Sequence, residues 1–378
     1  MIDRKDYDLP FLLRYENVAW YENKKVRILD RRIYPTEISF VECYNYREVA
    51  EAIYNMVTQS AGPYTACAMG MALAASEVEK KTEKEQIEFL TEASNVLANS
   101  RPTTANRYKI ITESALEAAK KALKEGKSPV EAIFNNAIES LNRRYSIMEE
   151  VGTYLIKLVE NNSSILTQCF GETIVGMMCR AAKKENKTFK AYCLETRPYF
   201  QGARLTSSCF YESGIDVTVI TDNMAAYVMQ KGAINIFTSA ADTITRDGYI
   251  ANKIGTLQAA ILADKFEIPY YVTGIPDKDK NKGSDIVIEE RDPELVLSYR
   301  GIPNTLKGVK GIYPSFDVTP PKLISAVVTD KGIYSPYNLE EYFETETRDF
   351  YWCNLKICQK DFFNFFAQEP DILQLGIP

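Results

Sequence analysis

The 378 residues contain no histidine. That excludes Ser-His-Asp and Cys-His catalysis, imidazole acid–base chemistry and His-ligated metals in one step. Any proton transfer must use Cys, Asp, Glu, Lys, Tyr or water. Paired cysteines are missing as well. The eight cysteines (Cys43, Cys67, Cys169, Cys179, Cys193, Cys209, Cys353 and Cys358) form no CxxC and are scattered. Their spacing argues against a zinc site or a disulfide framework, and reduced thiols in a cytoplasm are the simplest reading. No Walker-type loop or GxGxxG run occurs, so mononucleotide and dinucleotide cofactors have no support. No apolar run is long enough to span a membrane. The opening MIDRKDYDLPFLL lacks a basic segment followed by a long apolar one, so no secretion signal is expected. The net charge of -6 predicts no bulk attraction to nucleic acid or to an anionic membrane. A local basic pocket for a small phosphate is compatible with that balance.

What is present is ordinary for a soluble protein: 46% hydrophobic and 25% charged residues, in a length that fits two domains or one large one. Residues 17 to 45 alternate in the β manner, with Asn23-Lys24-Lys25 as a hairpin turn. Helical patterns follow to about Glu160. In one of them Ser128 suits an N-cap, with Pro129 at the first helical position and Glu131 three residues on. From Ser164 the rhythm changes. SILTQC, KAYCLET, DVTVITD, INIFTSAAD, YYVTGI and SAVVTD read as buried strands, and helical runs alternate with the first of them. Such βαβ alternation predicts a mostly parallel, Rossmann-like sheet covered on both faces. The expected division is an α-rich N-terminal domain with a small antiparallel sheet, residues 1–160, and an α/β domain, 161–378. The aromatic tail from Asp349 onward reads as a docking helix or a dimer contact.

The chemistry-bearing residues lie at predicted strand ends, where open α/β sheets bind ligands. Cys169 ends an apolar run and precedes a helix. Alone it is more often a small core residue, but a helix N-terminus there would favour thiolate. Asp242 follows a buried strand and could equally cap a helix. Asn252 and Lys253 read either as a turn with a surface lysine or as a polar cluster binding sugar hydroxyls and phosphate at a helix start. Arg101, beside Pro102 at a helix exit, could grip phosphate bidentately or make a surface ion pair. Gln201 and Gly202 could offer an amide and a bare backbone to a ligand. Arg291, in IEERDPELV, reads as a salt-bridge corner.

The segments VRILDRRIYP, NSRPTTAN, ILTQC, ETRPYFQGARLT, AADTITRDGYIANKIGT, IEERDPELV and PSFDVTPPKLISAVVTDKGI together resemble the methylthioribose-1-phosphate isomerases. That family is related to ribose-1,5-bisphosphate isomerases and to regulatory subunits of the translation initiation factor 2B. The resemblance covers about Val18 to Tyr337. It implies an aldose-to-ketose isomerisation of a furanose phosphorylated at C1, foremost S-methyl-5-thioribose 1-phosphate in methionine salvage. Rival substrates are 5-deoxyribose 1-phosphate and ribose 1,5-bisphosphate, and the rival class is a silent regulatory protein. It further implies that Cys169 and Asp242 are catalytic, that Arg101, Gln201, Asn252 and Lys253 bind substrate, that no metal or redox cofactor is needed, and that the chain forms a cytoplasmic homodimer. Three departures touch the implied pocket. The family's RGAPAIG is SAGPYTAC here, placing Ser60 where an arginine stands. Its His-Cys-Asn is Gln168-Cys169-Phe170. The glycine-rich stretch after that cysteine is missing.

Overall fold

The structure, a computed structural model, describes residues 4–101 and 105–344. The aromatic tail singled out above lies outside the described residues. Near the N-terminus, β1 (Ala19–Glu22), β2 (Lys25–Leu29) and β3 (Phe40–Cys43) form an antiparallel sheet in that order. Asn23 and Lys24 both take left-handed backbone, φ 50° and 60°. This is the two-residue turn whose twist matches that of the flanking strands.

Five helices follow: α1 (Tyr46–Tyr54), α2 (Gly62–Glu77), α3 (Glu83–Ala98), α4 (Ala105–Lys124) and α5 (Pro129–Lys157). Of the sixteen residues of α2, fourteen are buried, which makes it the central helix of this region. Helix α3 begins with a capping box between Thr82 and Glu85. Helix α5 starts at Ser128, whose side chain accepts from the Glu131 N–H, as the sequence predicts. It runs on for 29 residues and lies along α6 (Thr173–Lys184). Gly152 permits that approach, since a Cβ there would sit 2.7 Å from the Met177 backbone. One buried apolar cluster therefore runs from Leu9 through α2 and α5 into α6 and the large sheet.

The large sheet contains all six predicted strands: β4 (Ser163–Gln168), β5 (Phe189–Leu194), β6 (Asp216–Ile220), β7 (Ile236–Ala240), β10 (Tyr270–Thr273) and β14 (Ala326–Val328). The short β15 (Ile333–Tyr334) adds an antiparallel edge. The order is β15-β14-β10-β7-β4-β5-β6. The chain moves outward from β4 to β5 and β6, then returns to place β7 on the other side of β4. The strand order thus reverses between β4 and β7, and the crevice beyond their carboxyl ends is where such sheets bind ligands.

A second, antiparallel sheet of β8 (Thr243–Ile244), β9 (Ile250–Lys253) and β13 (Phe316–Thr319) starts two residues after β7. The sequence reading left Asn252 and Lys253 either in a turn with a surface lysine or in a polar cluster at a helix start. They end a fully buried strand, because Phe316 and Asp317 pair with them from far along the chain, so Lys253 is not a surface lysine. Among the described residues no helix is long and apolar enough to cross a membrane.

Candidate active site

The crevice between β4 and β7 brings together most of the residues singled out from sequence. Cys169 follows β4 and Asp242 follows β7, and these strands are direct neighbours, with Gln168 opposite Ser239. Cys169 occupies left-handed backbone, φ 62°. Its N–H donates to the Thr196 hydroxyl at 3.0 Å, and its carbonyl accepts from the Thr206 hydroxyl. Asp242 is held by its N–H, which donates to the Ala251 carbonyl of β9 at 2.9 Å. That bond turns the chain leaving β7 back over the crevice, and Lys253 ends the same β9.

The charges of these groups act on one another. Burial pushes the Cys169 thiol up to about 11, against the pull of Lys253, while Asp242 pushes it further up. Burial also raises the Asp242 carboxyl, with Lys253, Arg107 and Arg101 opposing. Asp242 is open to solvent by its accessible surface. A group on the floor of a cleft, reached by water yet surrounded by protein, has both properties. Burial lowers the Lys253 ammonium, Cys169 and Asp242 resist, and Arg291 and Arg101 add to the lowering. The Lys253 Nζ also lies 4.7 Å from the centre of the Phe316 ring.

The sequence reading allowed Cys169 to be a thiolate activated by the following helix. The structure corrects this. Helix α6 begins only at Thr173, and the Glu172 side chain at its N-cap turns away from the helix N–H groups. Glu172 forms a fully buried ion pair with Arg31 at 2.9 Å. The burial that pushes the Cys169 thiol up to about 11 favours its protonated form at neutral pH. The start of α9 (Thr256–Lys265) is occupied. The N–H groups of Gly255 and Leu257 donate to the Asp317 carboxylate at 2.7 and 3.0 Å, so this helix start has no free N–H at those positions for a phosphate.

Gln201 is 4% exposed, and its Oε1 has no hydrogen-bond partner. It precedes Gly202, where a Cβ would lie 1.8 Å from the Leu194 carbonyl oxygen, so only glycine fits. A single π-helical turn, Gly202–Thr206, follows. Such turns are frequent at functional sites. Asn252 is buried and donates from Nδ2 to the Thr256 hydroxyl at 3.0 Å. Arg101 is half-buried past the end of α3.

The three departures from the family pattern have structural roles. The Ser60 hydroxyl donates to the Phe170 carbonyl at 2.8 Å, tying the N-terminal region to the turn after β4. Phe170 itself is buried under the Arg31 guanidinium, 5.8 Å from its ring. Gln168 is buried, donates to the Ile254 carbonyl at 2.9 Å and accepts from the Thr196 hydroxyl at 3.2 Å.

Sequence reasoning missed Arg107, whose charge reaches Asp242 and which pairs with Asp277. It also missed Tyr313, buried 6.2 Å from Tyr199 between ring centres. The salt-bridge reading of Arg291 holds, with Glu289 at 3.2 Å. However, the charge of Arg291 also reaches Lys253. Among the described residues, no three Cys, Asp or Glu side chains come together as a metal site.

Comparison with known proteins fits this geometry. Residues 59–336 match the model of the initiation factor 2 subunit family. The chain is 38% identical to a 5-deoxyribose 1-phosphate isomerase of Clostridium botulinum (strain Loch Maree / Type A3), covering 86% of this chain and 98% of the relative. It is 35% identical to a methylthioribose-1-phosphate isomerase of Desulforamulus reducens, over 85% and 96%. Among solved structures, it superposes on the 5-methylthioribose 1-phosphate isomerase of Pyrococcus horikoshii OT3 with a TM-score of 0.73 and 32% identity, over 88% and 98%. It superposes on the translation initiation factor eIF-2B, subunit delta, of A. fulgidus with 0.75 and 32%, over 87% and 99%. The chain belongs to the initiation factor 2 subunit family.

Proposed function

We propose that this chain is an aldose–ketose isomerase acting on a furanose 1-phosphate, with S-methyl-5-thioribose 1-phosphate as its substrate. The observation that carries the reading is the coupling of a protonated thiol, a carboxylate and a buried ammonium at the sheet's switch point. The Cys169 thiol donates a proton toward the ring oxygen, and the Asp242 carboxylate accepts one as hydrogen moves between C2 and C1. A carboxyl raised toward the working pH is the better base. Arg101 and Lys253 supply positive charge for the phosphate, and Gln201 and Asn252 hold sugar hydroxyls. The unmade bond at Gln201 Oε1 fits a ligand hydroxyl.

A second substrate, 5-deoxyribose 1-phosphate, is favoured by the 38% identity to isomerases of that name. Both sugars end in an apolar C5 substituent, and the proposed chemistry at C1 and C2 is the same. A silent regulator, as the initiation-factor relative invites, would not need the coupled Cys169–Asp242 pair. The reading includes a cytoplasmic homodimer joined through the C-terminal domain and a place in methionine salvage. It also treats residues 1–160 and 161–378 as two units, supported by the change from helices to strand–helix alternation near residue 160.

The test is incubation with the 1-phosphates of 5-methylthioribose, 5-deoxyribose and ribose, plus ribose 1,5-bisphosphate, followed by NMR for ketose. Ketose from the first supports the main reading, and ketose from the second alone moves the substrate. No ketose from any of them sinks the enzyme reading.

A further inference from the structure

The start of α9 beside the crevice is already occupied by the Asp317 carboxylate, and the Glu172 carboxylate at α6 is taken by Arg31 and the Ala61 N–H. A set of unused donors lies on one narrow ribbon next to Lys253. Glu290 and Pro314 face each other in an antiparallel bridge. The Arg291 N–H donates to the Tyr313 carbonyl at 2.9 Å, and the Ser315 N–H to the Glu289 carbonyl at 2.8 Å. Side chains alternate along strands and directly opposed residues share a face. Glu289, Arg291, Tyr313 and Ser315 therefore stand on the same face of the ribbon. Its position is fixed by the Ile254 N–H, which donates to the Ser315 carbonyl at 3.1 Å, and by the pairing of Phe316 with Lys253.

On that face three donors are unused. Arg291 Nε, Tyr313 OH and Ser315 Oγ are shielded from water and have no hydrogen-bond partner. Tyr313 is 2% exposed and Ser315 0%. Buried donors are nearly always paired in native proteins, and an unpaired one opposes folding, so a cluster of three calls for an explanation. Glu289 keeps the Arg291 guanidinium charged and fixed, while its Nε is left over. A guanidinium and two hydroxyls on one face match the several acceptor oxygens of a phosphate monoester.

We infer that Arg291, Tyr313 and Ser315 form the phosphate-holding face of the crevice, taking the C1 phosphate of the aldose together with Arg101 and Lys253. The inference rests on the sugar-phosphate reading above, and it supplies the grip that Ser60, bound to the Phe170 carbonyl, does not provide.

The experiment is calorimetric titration of the full chain with inorganic phosphate, for the wild type, Tyr313→Phe and Ser315→Ala. Each variant keeps the shape and removes one unpaired hydroxyl. Phosphate binding weakens about 10-fold in each, as for a lost charge-assisted hydrogen bond. The melting temperature without phosphate stays the same or rises, because the hydroxyl removed had no partner. A merely structural role would lower the melting temperature and leave the affinity alone, and that result overturns the inference. An unchanged dissociation constant in both variants, or no binding by the wild type, overturns it as well. The sugar panel separates the two failures. Turnover of a sugar phosphate with unaltered phosphate binding in the variants removes only this inference. Hydroxyl-dependent phosphate binding without turnover removes only the isomerase reading.

Discussion

Two walls of the crevice differ in how firmly their buried polar groups are cross-linked. The wall toward the N-terminal region is cross-linked through a buried ion pair, although Arg31 Nε, Thr58 Oγ1 and Gln59 Oε1 are unpartnered there. Arg31 gives its terminal nitrogens to Glu172, the Gln59 carbonyl and the Leu12 carbonyl, and Ser60 binds the Phe170 carbonyl. The opposite wall, the ribbon of residues 289–291 and 313–315, leaves three donors unmade, and Gln201 leaves an acceptor. A buried network cross-linked by an ion pair fixes geometry. An unsatisfied one is destabilised until a ligand arrives. The contrast separates the scaffold that orients Cys169 from the surface that meets the substrate.

Breaking the buried Arg31–Glu172 pair has the largest expected effect on stability. Arg31→Met leaves Glu172 buried without its partner, which lowers unfolding stability by about 3–5 kcal/mol. Urea denaturation measures it, and a loss under about 1 kcal/mol contradicts the scaffold assignment. The protonation of Cys169 comes next. With its thiol raised to about 11, against an ordinary value near 9, the thiolate fraction at pH 7 is smaller by about 100-fold. Alkylation of Cys169 by iodoacetamide, followed by peptide mass spectrometry, is slower by about that factor than for an exposed thiol and accelerates up to about pH 11. Fast labelling at pH 7 restores the thiolate.

The substrate-binding set is tested by Arg101→Ala, which raises KM by about 10-fold or more through a lost charge-assisted bond and changes kcat far less. Steady-state kinetics on a confirmed substrate reads the split, and a pure kcat effect moves Arg101 out of the binding set. The smallest effect concerns Asp317. Burial raises its carboxyl to about 6, against the N–H bonds from Leu257 and Gly255 that lower it. A folded value above the unfolded one means that stability from this group is fully present below about pH 4 and lost as pH rises through about 6. Relative to Asp317→Asn, the wild type therefore gains about 1–2 kcal/mol between pH 6 and 4, after discounting for partial exposure. Denaturation midpoints at the two pH values check the sign.

The six main strands were legible because parallel strands buried on both faces read as short apolar runs. Cys169 and Asp242 were legible as candidates because each directly follows such a run. The Asn252–Lys253 end of strand β9 was not, since it is paired only by Phe316 and Asp317, more than 60 residues on. Arg291 was visible only as an ion pair and Tyr313 not at all, because the ribbon that aligns them joins segments about 22 residues apart. The thiolate expectation failed for a related reason. Nothing local to Cys169 announces the burial by distant segments that pushes its thiol up.

The central claim is that Cys169 and Asp242 carry the chemistry, and one measurement addresses it most directly: kcat of Cys169→Ser and Asp242→Asn on the aldose 1-phosphate that the wild type converts. Serine keeps the shape with a far weaker acid, and asparagine keeps the size without an ionisable group. Each change should lower kcat by about 10²–10⁴-fold, the worth of a positioned proton transfer, with substrate binding largely retained. Near-normal turnover in both variants would contradict the account.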